Sequence, residues 1–133
     1  MLRMVCEPAA RSKSDGSFIQ SVRLMDGEQV LAQARWQVSG EAAQGVAQLL
    51  ELTVIESRRR QGHGRRVMDA VAGQAQEYFR SRKLPLRRLW VAIEQKRQVI
   101  GRSFLMQFGF NHVGTVGEML KDEDLLVYMR TFN

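Results

Sequence analysis

The sequence predicts an α/β (α+β) fold: a mixed, mostly antiparallel sheet of about seven strands with two main helices packed on it. Three observations support this class. Apolar and polar residues alternate along several short runs, which is the period of half-buried strands. The dipeptide Asp26-Gly27 joins two of these runs and is typical of a β-hairpin. One long amphipathic helical pattern follows a nearly apolar strand. The 133 residues suit one domain with one core.

The first part of the chain predicts three strands, at residues 2–7, 17–25 and 28–38. The short polar segment 8–16 between the first two predicts a loop. In the third strand Ala32, Ala34 and Trp36 fall on one face and the polar residues between them on the other. This alternation predicts antiparallel strands with one buried face.

The middle of the chain predicts a fourth strand at residues 45–55 and a helix at 64–81. The fourth strand is nearly all apolar at its centre, which favours a central strand covered on both faces. In the helix, apolar residues recur at intervals of three and four, and Leu84-Pro85 ends the pattern. Residues 88–93 predict the fifth strand.

The last part of the chain predicts a second helix at residues 99–108, with Gly109 as its C-terminal cap. Two more strands are predicted at 110–116 and 125–131, with a charged loop at 117–124 between them. The order of elements is therefore β-β-β-β-α-β-α-β-β.

The composition limits the classes of function. The formal net charge of +6 favours an anionic partner. Basic residues concentrate at 58–66 and 80–88, and the second cluster can be a solvated helix end. Cys6 is the only cysteine, which excludes an internal disulfide and argues for a buried thiol. The two distant histidines argue against a metal site. No signal peptide or membrane span is visible, so we expect a cytoplasmic protein.

Residues 49–68 predict an anion site. An apolar strand leads into three arginines, then Gly62-His63-Gly64, then the long helix. Glycines allow backbone N–H groups to approach a ligand closely, and a helix start leaves such groups unpaired. The helix dipole adds to the attraction for phosphate. The predicted contacts are the side chains of Arg59, Arg60 and Arg65 and the N–H groups of Gln61, Gly62, His63, Gly64 and Arg65.

The motif Arg59-x-x-Gly62-x-Gly64 resembles the Arg/Gln-x-x-Gly-x-Gly/Ala loop of the GCN5-related N-acetyltransferase (GNAT) superfamily. Gly109-Phe110 and the order of elements resemble that family as well. The resemblance implies that residues 1–133 form one acyl-CoA N-acyltransferase-like domain that uses acetyl-CoA as acyl donor, without a metal. Family members usually carry one or two helices after the first strand. Here only residues 8–16 are available, so those helices are reduced or absent.

The resemblance also implies roles for single residues. The backbone N–H of Val54 matches the family's oxyanion donor, and Gln98 stands where an asparagine is common. Leu105 replaces a tyrosine that is commonly proposed to protonate the departing thiolate. From its place in an apolar strand, Glu51 is the first candidate for the catalytic base, and Glu94 is the second. Alternatively, Glu51 lies on a solvated face or pairs with an arginine.

Three functions are therefore considered. The first is an N-acetyltransferase that acts by direct attack of a primary amine in a ternary complex. The second is a GNAT-like module that binds acyl-CoA with weak or no catalysis, which the leucine at position 105 favours. The third, less favoured, is a basic nucleic-acid-associated protein, for which no recognisable motif exists. The acceptor amine cannot be read from the sequence, and exposed sheet edges permit a homodimer.

Overall fold

The computed structural model describes residues 2–9, 18–38, 44–55, 62–94, 102–120 and 123–132. It confirms the predicted fold class, with seven strands in the order β1-β2-β3-β4-β5-β7-β6 and two helices. Among the described strand pairs only β4 and β5 run parallel. Neither described helix is long and apolar enough to cross a membrane. The elements are β1 Leu2–Ala9, β2 Phe18–Asp26, β3 Gln29–Val38, β4 Val46–Val54, α1 His63–Arg80, β5 Arg88–Glu94, α2 Arg102–Gln107, β6 Asn111–Leu120 and β7 Glu123–Thr131.

The hairpin turns show where the sequence pattern was informative. β2 and β3 form the predicted hairpin, but its two-residue loop is Gly27-Glu28, because Asp26 is the last residue of β2 and pairs with Gln29. Gly27 has a φ of 61°. The charged loop predicted at 117–124 is wrong, because β6 continues to Leu120 and pairs it with Glu123. Backbone hydrogen bonds between the two strands extend the ladder through charged residues, which the hydrophobic pattern does not detect. The second helix begins at Arg102, and positions 99–101 lie outside the described residues.

The core lies between one face of the sheet and the two helices. Trp36 from β3 and Phe79 from α1 are fully buried there. Helix α1 packs mainly on β3, β2 and β4. Cys6 on the edge strand β1 is therefore exposed, and the prediction of a buried thiol is wrong.

A register shift changes the faces of β4. Leu49 pairs with Trp36 and Glu51 with Arg35, so Leu50 is an extra residue in the ladder. This β-bulge places Leu49 and Leu52 together in the core and turns Glu51 to the opposite face. That outer face is polar, so the prediction that β4 is covered on both faces is wrong.

Both helices end in a Schellman motif, in which two backbone N–H groups satisfy the last carbonyl groups. In α2 the N–H of Phe110 donates to the Leu105 oxygen at 2.9 Å, with Gly109 at a φ of 91°. In α1 the N–H of Leu84 donates to the Phe79 oxygen at 2.9 Å. The left-handed position there is Lys83, at a φ of 58°, where glycine is the usual residue.

Gly45, the residue before β4, links β4 to the start of β5 through hydrogen bonds. Its carbonyl oxygen accepts the N–H groups of Arg87 at 2.7 Å and Arg88 at 3.1 Å. Its φ is 68°, and a Cβ at this position would lie 2.6 Å from the carbonyl oxygen of Pro85. Only glycine therefore fits between the two chain segments.

The first prediction concerns this junction. Gly45→Ala should lower the free energy of unfolding by about 3 kcal/mol, because it adds a backbone clash to left-handed strain. Gly27→Ala is the matched control, since its φ is 61° and nothing lies within 4 Å of its Cβ position. It should cost only about 1 kcal/mol. Chemical denaturation of both variants checks this, and equal losses would contradict the proposed clash.

Candidate active site

The sheet opens between β4 and β5. The parallel ladder joins only Val46–Gln48 to Arg88–Trp90. Beyond these three residue pairs, β4 stays paired with β3 while β5 stays paired with β7. The two neighbouring strands therefore diverge and leave a cleft whose sides are backbone edges.

Backbone N–H groups of β4 point into this cleft. The N–H of Ile55 donates to the Leu31 oxygen on β3 at 3.0 Å. Successive N–H groups of a strand point to opposite sides, so those of Val54 and Leu52 point away from β3. Val54 was predicted as a donor from the sequence. Leu52 was not predicted as a donor. Its N–H points to the same side as that of Val54, because the two residues are two positions apart in the strand.

Helix α1 starts at the open end of the cleft. The residue before it, Gly62, has a φ of 79°. Among the described residues no side chain caps this end, and the first turn carries no acidic residue. Within that part of the chain, no capping side chain uses the first N–H groups of the helix, and no carboxylate neutralises the positive end of its dipole. This arrangement suits a phosphate.

Close packing fixes the position of this helix start. A Cβ on Gly64 would lie 3.2 Å from the Val54 side chain and 3.4 Å from the ring of Phe104. The end of β4, the start of α1 and helix α2 therefore meet at one glycine. His63 is buried beside it, with 6% exposure, while Arg65 is exposed to solvent.

The described residues include only part of the predicted cofactor site. Gly62, His63, Gly64, Arg65 and Val54 lie together around the cleft. The predicted contacts Arg59, Arg60, Gln61 and Gln98 lie outside the described residues.

Glu51 lies on the outer face of the sheet and is the centre of a polar network. Its carboxylate accepts from Arg35 at 3.1 Å, from Gln33 at 2.8 Å and from the Thr53 hydroxyl at 3.3 Å. Its side chain is 32% exposed. This is the arginine-paired arrangement that the sequence left open as the alternative, and the role of base stays a prediction. Glu94 is the last residue of β5 and pairs through its backbone with Leu125.

Leu105 supplies no proton donor. Its side chain is fully buried among the core residues, and its carbonyl oxygen accepts the N–H groups that end α2. Tyr128 is also buried, at 4% exposure.

Comparisons with known proteins agree with this geometry. A family model described as Acetyltransferase (GNAT) family matches residues 4–110. A comparison with curated proteins finds no match.

Solved structures provide the fold comparison. The chain is similar to an acetyltransferase from Bacillus cereus (TM-score 0.68, 15% identity, 89% of this chain and 76% of that one). It is also similar to the ribosomal-protein-S18-alanine N-acetyltransferase from Escherichia coli (0.64, 18%, 84% and 67%). A third similar structure is Arabidopsis thaliana Naa50 in complex with the bisubstrate analogue CoA-Ac-MVNAL (0.66, 14%, 84% and 72%). At these identities the likeness establishes the fold.

The second prediction concerns the glycine where β4, α1 and α2 meet. Gly64→Val should lower the free energy of unfolding by about 2 kcal/mol, because the added atoms overpack the contact with Val54 and Phe104. Gly73→Val is the matched control in the same helix, since nothing lies within 4 Å of its Cβ position. It should change stability by less than about 0.5 kcal/mol. Urea denaturation measures both, and a similar loss in the two variants would contradict the close packing.

Proposed function

We propose that this chain, which belongs to the acetyltransferase (GNAT) family and is an acyltransferase, transfers an acetyl group from acetyl-CoA to a primary amine by direct attack in a ternary complex. The observation that carries the proposal is the cleft between two parallel strands with an uncapped helix start at its open end. No other described part of the chain combines free strand edges with an open helix N-terminus.

The residues around the cleft fit the parts of acetyl-CoA. The N–H groups of Gly62 to Arg65 and the Arg65 side chain would hold the pyrophosphate. The free edge of β4 would hydrogen-bond the amide groups of the pantetheine arm, as a strand edge binds an extended peptide. The family membership and the complex of Naa50 with a CoA-containing analogue support this assignment.

The chemistry requires a base and an oxyanion donor. Attack of the amine on the thioester carbonyl gives a tetrahedral oxyanion, and its collapse breaks the C–S bond and releases the thiolate of CoA. The N–H of Val54 would stabilise the oxyanion, with the N–H of Leu52 as a second donor in the cleft. Glu51, or alternatively Glu94, would take the amine proton, directly or through water. Since Leu105 carries no hydroxyl group, water would protonate the thiolate.

A panel of amines tests which class of acceptor receives the acetyl group. Two of the similar structures are an enzyme that acts on an alanine of a ribosomal protein and one bound to an analogue that carries a peptide. Peptides with a free N-terminus therefore belong in the panel beside small amines and lysine-containing peptides. Calorimetry with acetyl-CoA, followed by release of CoA thiol with each amine, tests the proposal.

The buried Leu105 favours one second candidate, a module that binds acetyl-CoA with weak or no catalysis. Tight binding of acetyl-CoA without thiol release on any amine would support this module. Absence of acetyl-CoA binding would overturn both functions.

The third prediction tests the phosphate contact. Arg65→Gln should raise the dissociation constant of acetyl-CoA about tenfold, because it removes a charge-assisted hydrogen bond to the pyrophosphate. Arg3→Gln removes the same charge from an exposed position on the edge strand β1 and should leave the constant unchanged. Calorimetry with acetyl-CoA measures both. Equal effects would show that only the net charge of the protein matters.

The fourth prediction separates catalysis by Glu51 from its structural contacts. Glu51→Gln should lower kcat about 100-fold while acetyl-CoA affinity stays constant, since the amide cannot accept the amine proton. Arg35→Gln breaks the same ion pair but keeps the carboxylate, and should leave kcat within about threefold of the original. Steady-state kinetics with the best amine checks both. A matching loss in the two variants would remove Glu51 as the base and leave Glu94.

A further inference from the structure

A second cleft lies at the opposite end of helix α1 from the proposed acetyl-CoA site. It has a volume of about 670 Å³, within the size range of small-molecule sites. The C-terminal end of α1, the segment leading into β5 and the end of β7 form its walls. Its lining residues are Gln76, Arg80, Lys83, Leu84, Pro85, Leu86, Arg87, Arg88, Thr131 and Phe132.

The charge of this cleft is uniformly positive. Four of its lining residues are cations, namely Arg80, Lys83, Arg87 and Arg88, and none of the described lining residues is acidic. Arg80 forms an ion pair with Glu77 at 3.2 Å, with both side chains largely exposed. Exposed pairs of this kind contribute little, so Arg80 stays available to a ligand. Four cations around one cavity favour a multivalent anion.

The cleft also has an apolar wall. Leu84, Pro85, Leu86 and Phe132 line it beside the cations. The N–H of Phe132 donates to the Arg87 oxygen at 2.7 Å, and the Arg130 guanidinium lies 4.5 Å from the Phe132 ring centroid. These contacts hold the wall in place. A ligand that combines phosphate groups with an apolar body would satisfy both halves of the cleft.

Lys83 provides a second, independent observation. It occupies the left-handed position of the α1 Schellman motif, at a φ of 58°. Helix α2 ends in the same motif with Gly109, the residue that adopts this conformation without strain. A lysine here costs stability relative to glycine, and such strain concentrates at ligand sites. The strained residue is itself one of the residues that line the cleft.

We propose that this cleft binds an organic phosphate of nucleotide size, with its phosphates on Arg80, Lys83, Arg87 and Arg88 and its apolar body on Leu84, Pro85, Leu86 and Phe132. The site is distinct from the proposed acetyl-CoA site. Helix α1 has 18 residues, so its two ends are about 27 Å apart. The proposal does not depend on acetyl transfer.

The test uses ATP, tripolyphosphate and adenosine as probes of the full-length chain in isothermal titration calorimetry. ATP should bind at least about fivefold more tightly than tripolyphosphate, because only ATP reaches the apolar wall. Adenosine alone should show no measurable binding. Equal affinities for ATP and tripolyphosphate, or no binding of either, would overturn the proposal.

Variants locate the site. Lys83→Gly should weaken ATP binding about tenfold while the melting temperature stays constant or rises, since glycine removes the left-handed strain. Arg87→Gln should weaken ATP binding to a similar degree. Arg3→Gln, at an exposed position four strands away in the sheet order, should leave the affinity unchanged. A similar loss in all three variants, or no loss with Lys83→Gly and Arg87→Gln, would overturn the proposal.

Discussion

The hydrogen bonds accepted by the Gly45 carbonyl group determine where β4 and β5 are joined and where they separate. Gly45 accepts from Arg88, the first residue of β5, and from Arg87 just before it, and only a glycine leaves room for the Pro85 carbonyl beside it. The parallel ladder then continues for three residue pairs and stops. Because β4 remains bound to β3 and β5 to β7, strand twist turns the two strands apart beyond that point. The cleft is thus a consequence of the pairing on both sides.

At the other end of the cleft, β4 and the helix α2 that follows β5 are held together by side-chain packing instead of backbone hydrogen bonds. A Cβ on Gly64 would lie 3.2 Å from the side chain of Val54 on β4 and 3.4 Å from the ring of Phe104 on α2, so only a small residue fits between them. This contact orients the start of α1 toward the cleft, and the single hydrophobic core beneath both helices supports it. A backbone junction at one end and a glycine contact at the other therefore give the cleft fixed walls.

Local patterns predicted the elements well, and non-local pairing explains the errors. Alternation predicted β2 and β3, Asp26-Gly27 predicted their hairpin with the turn one residue too early, and the spacing of three and four predicted α1. The exposed Cys6 and the bulge at Leu50 were missed, because exposure and register depend on which neighbours cover or pair with a strand. For the candidate site, the motif singled out the glycines and the family resemblance singled out Val54, and their roles stay predictions. The contact of Glu51 with Arg35 depends on the bulge and therefore required the structure.

The two ends of α1 attract anions by different means. At its start, backbone N–H groups and the positive end of the dipole favour negative charge and add to the attraction of the arginine side chains. At its end the dipole opposes an anion, and backbone bonds already occupy the last carbonyl groups. Attraction there must come from side chains, and the structure supplies four cations around one cleft, one of them Lys83 in a strained conformation. The basic cluster at residues 80–88 therefore contains more cations than are needed to balance the dipole of α1.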